Sequence, residues 1–228
     1  MAEIAVVDYG MGNLRSVAKA LEHVAPGARV EITADPARIR AARSVVFPGQ
    51  GAMPDCMREM DARGLREPLL EAARSKPFLG LCIGLQMLFD WSEEGGVAGL
   101  GVFEGKVVRF PAGRMIGERG EKLKVPHMGW NQVYQSMRHP LWAGIADGSR
   151  FYFVHSYYVE PQDKRLVAGT SRYPFAFTCA VARNNIFAVQ FHPEKSQSAG
   201  LQLLANFVRW DGSMDAISAD AAFGTAGA

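Results

Sequence analysis

The sequence predicts an α/β protein with a mostly parallel central sheet, flanking helices and additional antiparallel strands in its C-terminal half. Three observations support this prediction. Short apolar runs alternate with segments of helical spacing over the first hundred residues, the order that builds a parallel sheet. From about Gly101 onward, short strand-like runs follow one another instead. The chain has 228 residues, 48% of them hydrophobic, which is enough for one sizeable α/β core.

The N-terminal half supplies the parallel part of the sheet. Apolar runs predict strands over 3–8, 29–32, 44–47 and 77–82. Helical spacing predicts helices over 14–24, from Asp35 onward, over 53–75 and over 83–91. Asp35 precedes a proline, and it is a residue type that favours the N-cap position of a helix.

The C-terminal half is predicted to be mainly strands. These strands are expected over 105–110, 130–134, 151–159, 166–171, 175–182 and 186–191. A hairpin turn is expected at Asn184-Asn185, and a helix over 198–210 closes the pattern. Residues 1–210 are therefore predicted to form one domain, and the small, polar stretch 211–228 a disordered tail.

Cys82 lies at the predicted junction of a strand and a helix, with Gly80 and Gly84 two residues away on either side. This Gly-x-Cys-x-Gly layout is typical of a nucleophile elbow, in which a sharp turn leaves no room for a Cβ beside the nucleophile. The positive end of the helix dipole favours the thiolate, which is the reactive form. A buried structural cysteine in a glycine-rich turn remains the alternative.

A base for that cysteine is predicted far downstream, where the apolar run 186–191 ends at His192 and Glu194. An imidazole ionises a thiol, and a carboxylate fixes the tautomer of the imidazole. His192 and Glu194 are separated by one proline at the end of a strand, so both side chains can project toward one side. A lone histidine is more often a packing or surface residue, but the order cysteine, histidine, glutamate favours a catalytic triad.

The segment 48–52, PGQGA, follows the predicted strand 44–47. Acyl transfer needs backbone N–H groups aimed at the oxyanion of the tetrahedral intermediate. The residue after the nucleophile, Ile83, usually supplies one donor, and a loop after a neighbouring strand supplies another. Gly49 and Gln50 are the candidates for that loop, although the string by itself is also a commonplace turn.

Other features exclude several classes of function. The formal net charge of +2, with basic residues scattered among acidic ones, does not predict a nucleic-acid surface. The three cysteines show no disulfide or metal-ligand spacing, and no apolar stretch approaches the about 20 residues that span a bilayer. The glycines after the first strand lack the third glycine of a dinucleotide-binding fingerprint, since position 15 is Arg15. We expect a cytoplasmic protein with no metal and no cofactor.

With these motifs the chain resembles the class I glutamine amidotransferases, and the likeness extends over roughly residues 3 to 210. The resemblance implies a fold of that class, and an activity in which Cys82, His192 and Glu194 release ammonia from glutamine. It also implies which residues bind glutamine: Gly51, Gln86, Glu94, Ser156 and Tyr157. Gln86 could instead be a polar residue on a surface helix.

Three segments give a finer likeness: 7–14, VDYGMGNL; 124–131, KVPHMGWN; and 155–158, HSYY. They are similar to the glutaminase subunits that deliver ammonia to a (β/α)8-barrel synthase in histidine biosynthesis. That resemblance implies a heterodimer with such a barrel, and it implies interface roles for Asn13, Met128, Trp130, Tyr152 and Lys195. Trp130 and Tyr152 could equally be core residues, and Lys195 a solvated charge.

Alternatives from other classes stay open on sequence grounds. A glutaminase subunit that serves a chorismate- or purine-pathway synthase would keep the triad. A cysteine peptidase or a chaperone-like relative would share the elbow but would not need Gln86. A silent regulatory module would lose one member of the triad, and none is missing. Gln50 is an unusual side chain for the oxyanion loop, and 109–124 contains no interpretable motif.

Overall fold

The computed structural model describes residues 4–117 and 119–214. Strands and helices alternate through its first half, and strands dominate its second half. The strands are β1 (Ile4–Val7), β2 (Val30–Thr33), β3 (Ser44–Phe47), β4 (Phe78–Leu81), β5 (Phe89–Ser92), β6 (Val97–Ala98), β7 (Phe103–Arg109), β8 (His127–Gln132), β9 (Tyr134–Gln135), β10 (Arg150–His155), β11 (Tyr157–Pro161), β12 (Val167–Arg172), β13 (Ala176–Arg183) and β14 (Ile186–Val189).

The helices lie between and after the strands of the first half and at the end of the domain. They are α1 (Leu14–Val24), α2 (Pro36–Ala41), α3 (Met53–Ala62), α4 (Arg66–Ser75), α5 (Ile83–Gln86) and α6 (Gln197–Arg209). Short 3-10 turns occupy Ala112–Arg114, Pro140–Trp142, Lys164–Leu166 and Pro193–Lys195. Most of the tail predicted over 211–228, namely 215–228, lies outside the described residues, so its disorder stays a prediction.

The described strands form one large sheet and one two-stranded ribbon. The large sheet runs in the order β2-β1-β3-β4-β14-β13-β11-β7-β5-β6; off this path, β12 pairs with β13 and β9 pairs with β12. The first five strands in this order pair in parallel, and β14 then pairs antiparallel with β13. The ribbon pairs β8 with β10 in antiparallel register. The fold class predicted from the sequence is therefore confirmed.

The central strands are buried on both faces, which explains their continuous apolar sequences. All four residues are buried in each of β1, β3, β4 and β14. Alternate residues of β3 and β4 enter opposite cores: Val46 and Leu79 join one apolar cluster, and Val45 and Phe78 the other. Burial stabilises each such side chain by about 1.5–3 kcal/mol, so this region is a firm support for the loops at its edge.

The prediction of a helix over 83–91 is wrong beyond the first turn of that helix. Helix α5 ends at Gln86, and the chain then runs as strand β5. The backbone groups of 87–89 bind the segment 100–103 instead of the next helical turn: Met87 O accepts from Leu100 N, and Leu88 O accepts from Phe103 N. Tertiary pairing with β7 thus overrides the helical spacing of the apolar residues.

Two other predicted elements are divided in the structure. The strand predicted over 151–159 breaks at Ser156, so that β10 pairs with β8 and β11 pairs with β7 and β13. The helix predicted over 53–75 is interrupted at 63–65, where Gly64 has a φ of +65°. Glycine adopts this conformation readily and ends a helix there. The N-cap prediction is confirmed, because Asp35 Oδ1 accepts from Ala37 N at 2.8 Å.

Candidate active site

The three predicted catalytic segments lie at one edge of the sheet. Strands β3, β4 and β14 are neighbours and run parallel, so their carboxyl ends meet there. The segment 48–51 follows β3, Cys82 follows β4, and His192 follows β14 by two residues. Ligands of open α/β sheets bind outside the carboxyl ends of the strands, so the topology alone makes this edge the candidate site.

Cys82 occupies a strained backbone conformation between β4 and α5, with φ 54° and ψ −110°. Non-glycine residues rarely adopt such angles, and they persist where the surrounding structure enforces them. The flanking glycines show what enforces them. A Cβ on Gly84 would lie 1.9 Å from the carbonyl oxygen of Phe47, and one on Gly80 would lie 2.9 Å from Cβ of Ala188. The tight turn predicted from Gly-x-Cys-x-Gly is therefore present.

The backbone of Cys82 is tied to both neighbouring elements. Its N–H donates to the carbonyl of Val189 at 2.8 Å, and its carbonyl accepts from Leu85 N at 3.0 Å and Gln86 N at 3.3 Å. Its side chain is only 5% exposed. The nucleophile candidate is thus held rigidly at the start of a helical turn, whose N–H groups favour a negatively charged sulfur.

His192 pairs with Glu194 as the sequence predicts, with Nδ1 at 2.9 Å from Oε1 and both side chains almost completely buried. A carboxylate only accepts hydrogen bonds, so Nδ1 carries a proton toward Glu194 and Nε2 is the nitrogen that gains or loses a proton. That nitrogen has no hydrogen-bond partner among the described residues. It is therefore free to act as a base.

The electrostatic setting of His192 favours its charged form. Burial by itself lowers the pKa of the imidazole, but the negative charges of Cys82 and Glu194 outweigh burial and raise the pKa above its ordinary value. The arrangement therefore stabilises the imidazolium that forms when Nε2 accepts a proton.

Ser196, which the sequence analysis missed, holds the backbone of His192, the candidate base. Its hydroxyl donates to the carbonyl of His192 at 2.6 Å and accepts from Tyr152 N at 2.9 Å. His192 N in turn donates to the carbonyl of Tyr152 at 2.9 Å. Ser196 lies four residues past the histidine in an ordinary polar stretch, so no sequence pattern distinguishes it.

A cleft of about 470 Å³ opens beside Cys82 and His192. It brings together most of the residues predicted to catalyse or to bind substrate. Its lining includes Gln50, Gly51, Cys82, Ile83, Gln86, Glu94, Ser156, Tyr157, His192 and Lys195. Gly49 and Glu194 lie behind it, on a neighbouring small cavity shared with Asn13. Met128, Trp130 and Tyr152 are outside the cleft lining.

Neighbouring side chains hold the candidate oxyanion loop in place. A Cβ on Gly49 would lie 2.1 Å from the Tyr9 hydroxyl, so only glycine fits there. Gly51 has a φ of +110°, which also favours glycine. The thiol of Cys56 donates to the carbonyl of Gln50 at 3.5 Å. Burial raises the pKa of Cys56 to about 11, so the thiol keeps the proton that it donates.

The predicted substrate residues form a linked group. Gln86 is 1% exposed, which excludes a surface role, and its Nε2 donates to Tyr157 O at 3.2 Å. The same nitrogen donates to Oε1 of Gln190 at 2.9 Å, and Gln190 is a second residue that the sequence analysis missed. Glu94 Oε2 accepts from Met53 N at 2.8 Å at the start of α3.

Two histidines near the cleft form a buried pair rather than a catalytic group. His127 Nδ1 lies 2.9 Å from His155 Nε2, and His155 Nδ1 lies 2.8 Å from Tyr157 O. Burial lowers the pKa of His127 to about 4 and that of His155 to about 3, so both are neutral at pH 7. The chain of hydrogen bonds fixes the position of the Tyr157 carbonyl, to which Gln86 also donates.

The predicted interface residues include an exposed aromatic group on the ribbon. Met128 is 62% exposed and Trp130 is 42% exposed, so neither is a core residue. The Trp130 and Tyr152 rings are cross-strand neighbours with centroids 6.2 Å apart. The ammonium of Lys195 lies 5.9 Å from the centroid of the Tyr152 ring. These side chains connect the ribbon to the rim of the cleft.

The described residues contain neither a candidate metal site nor a membrane-spanning helix. Residues 4–117 and 119–214 contain no group of three or more histidine, cysteine, aspartate or glutamate side chains suited to a metal ion. No helix in the same residues combines the length and the apolar character needed to cross a membrane.

Comparison with known proteins agrees with this geometry. The model of the class-I glutamine amidotransferase family matches residues 5–210. The chain therefore belongs to the class-I glutamine amidotransferase family. Within that family it groups with the proteins named imidazole glycerol phosphate synthase subunit HisH. It is 70% identical to that of Nitrosospira multiformis, over 92% of this chain and 99% of the relative, and 67% identical to that of Aromatoleum aromaticum, over the same shares.

Solved structures support the fold alone. A putative GMP synthase subunit from Thermoplasma acidophilum superposes with a TM-score of 0.66 at 18% identity, covering 91% of this chain and 92% of that one. A glutamine amidotransferase from Thermotoga maritima gives a TM-score of 0.60 at 14% identity, covering 91% and 96%. At such low identity these likenesses carry the architecture and no finer assignment.

Proposed function

We propose that this chain is the glutaminase subunit of an imidazole glycerol phosphate synthase, with Cys82, His192 and Glu194 as its catalytic triad. Glutamine is its substrate, and it works as part of a complex in histidine biosynthesis, as the names of its relatives indicate. One observation carries the catalytic assignment. The strained Cys82 shares a cleft with His192, whose Nδ1 is bonded to Glu194.

In the proposed reaction, Nε2 of His192 takes the proton of Cys82 as the sulfur attacks the side-chain carboxamide carbon of glutamine. Glu194 stabilises the imidazolium that forms. The tetrahedral intermediate expels its nitrogen with the proton that His192 returns, so ammonia leaves and a γ-glutamyl thioester remains. Water then attacks the thioester with His192 as base, which releases glutamate and restores the thiol.

The oxyanion is stabilised by the N–H of Ile83 and by an N–H of the Gly49-Gln50 segment. Glutamine itself is held by Gly51, Gln86, Glu94, Ser156 and Tyr157. All five substrate residues line the cleft, and Gln86 Oε1 is a buried acceptor without a partner among the described residues. The carboxylate of Glu94 suits the α-amino group of the substrate.

The product requires a partner close by, because free ammonia becomes ammonium in water and loses its nucleophilic electron pair. We expect that partner to be a (β/α)8-barrel synthase subunit that uses ammonia to form imidazole glycerol phosphate and an aminoimidazole carboxamide ribonucleotide in the cytoplasm. Asn13, Met128, Trp130, Tyr152 and Lys195 are the proposed contacts. Exposed aromatic side chains with a polar end suit a protein–protein interface.

The triad is tested by Cys82→Ala in the assembled complex. Without the sulfur no thioester forms, so glutamine hydrolysis should fall by a factor on the order of 10³ or more. Synthesis from added ammonia should persist, because it bypasses this cleft. Both rates are measured on one preparation. Cys179→Ala is the control, since Cys179 is a buried thiol outside the cleft lining. Undiminished glutamine hydrolysis by Cys82→Ala would refute the assignment.

A further inference from the structure

Gln190 is a completely buried polar side chain that touches both the nucleophile and a substrate-binding residue. It follows β14 directly and precedes His192 by two residues. Its Nε2 lies 3.6 Å from Sγ of Cys82, and its Oε1 lies 2.9 Å from Nε2 of Gln86. A buried amide needs hydrogen-bond partners for its polar atoms. The oxygen of this amide contacts Gln86, and its nitrogen contacts Cys82.

The orientation of the two amides follows from one backbone carbonyl. Tyr157 O can only accept, so Gln86 must present Nε2 to it. The second hydrogen of that nitrogen points to Gln190, which must then present Oε1. Nε2 of Gln190 therefore faces Sγ of Cys82. Turning either amide over would set two acceptors against each other or two donors against each other, so only this arrangement is satisfied.

The fixed orientation of the two amides affects both Gln86 and Cys82. Both hydrogens of Gln86 Nε2 are used, so its buried Oε1, which lacks a partner among the described residues, faces the cleft only as an acceptor. It therefore selects an N–H group of the bound glutamine. At the other end, an N–H of Gln190 donates to Sγ of Cys82, and donation to sulfur favours the thiolate.

We propose that Gln190 is a positioning residue of the glutaminase site, which locks the Gln86 amide as a hydrogen-bond acceptor for glutamine and donates an N–H to the sulfur of Cys82. The inference rests on the proposed function, because it assigns the cleft to glutamine. Gln190 does not touch substrate in this account: it acts on glutamine through Gln86 and on the reaction through the sulfur.

Two substitutions separate the two contacts. Gln190→Met keeps the length of the side chain and removes both hydrogen bonds. Gln190→Glu keeps an oxygen that accepts from Gln86 but removes the N–H that faces Cys82. Gln202→Met is the control: Gln202 lies on α6 and its Nε2 donates to Asn206. Thermal unfolding of each variant shows that it is folded and serves as the readout of a purely structural role.

The first readout is the pH dependence of Cys82 alkylation by iodoacetamide in the full chain, followed on the peptide that contains Cys82. Loss of the N–H donor should move the midpoint up by about one pH unit in the uncharged variant Gln190→Met, and the control should keep the wild-type midpoint. The second readout is the KM for glutamine in the complex. It should rise about tenfold in Gln190→Met and much less in Gln190→Glu.

The proposal is overturned if folded Gln190→Met keeps the wild-type midpoint and KM, or if it loses only thermal stability. Should Gln190→Met fail to fold, Gln190→Leu, which also lacks both hydrogen-bonding groups and carries no charge, takes its place. If the proposed function itself were wrong, the outcome would be different. In that case the wild-type complex would not hydrolyse glutamine at all, whereas the alkylation midpoints would still report whether Gln190 acts on the sulfur.

Discussion

Single atoms decide whether the elbow forms at all. The peptide carbonyl of Phe47 occupies the space where any side chain at position 84 would begin. The same crowding explains why the strained angles of Cys82 are kept, since β3, β4 and the first turn of α5 are packed against each other without a gap. The backbone geometry of Cys82, the proposed nucleophile, is thus set by its neighbours.

Gly84→Ala tests this crowding. The added Cβ would meet the Phe47 carbonyl at 1.9 Å, so a backbone segment of β3 or the elbow must move. We expect the free energy of unfolding to fall by about 3 kcal/mol, measured by urea denaturation. Glutamine hydrolysis should fall with it. Gly27→Ala is the control, because nothing lies within 4 Å of its Cβ position. Equal stability of the two variants would contradict the account.

At the scale of elements, the sequence predicts what is local and misses what depends on pairing. The apolar runs identify β1, β3, β4 and β14, and they place the residues of the proposed triad after the ends of β4 and β14. Strand β5 was missed because its own apolar spacing is helical and only its pairing with β7 makes it a strand. Ser196 and Gln190 were missed for a similar reason: each matters only through contacts with residues brought close by folding.

The ribbon of β8 and β10 carries the proposed interface, and a pair of matched tryptophans tests it. Trp130 on β8 and Trp91 on β5 are both 42% exposed, so their replacement by alanine removes similar surface. Trp130→Ala should weaken association with the barrel subunit by about 2 kcal/mol or more, measured by titration calorimetry, while Trp91→Ala should change it little. If Trp91→Ala is the more damaging of the two, the interface lies elsewhere.

At the scale of the whole molecule, buried neutral histidines limit stability in acid. Burial lowers the pKa of His139 to about 4, against about 6.5 in an unfolded chain. Above pH 6.5 neither state binds the proton, so His139 has no effect on stability there. As the pH falls from 6.5 toward 4, the unfolded state binds the proton first, so the folded state loses stability. Burial also lowers the pKa of His127 and His155, so they too make the folded state less stable as the pH falls.

His139→Asn should therefore flatten the acid side of the stability curve. Asparagine can still accept from Leu141 N, as His139 Nδ1 does at 3.1 Å, but it does not titrate. The loss of unfolding free energy between pH 6.5 and pH 4 should shrink, by roughly 3 kcal/mol at most. Urea denaturation across this range gives the comparison, with the wild-type protein as reference. A parallel pair of curves would show that His139 is not buried in its neutral form.

The whole account depends on a covalent bond between glutamine and one sulfur, and acid quenching of the complex during turnover, with mass spectrometry of its peptides, looks for that bond directly. A γ-glutamyl adduct is expected on the peptide that contains Cys82, and none on the peptides that contain Cys56 or Cys179. An adduct confined to another residue would contradict it. So would steady glutamine hydrolysis by a protein whose Cys82 had already been alkylated.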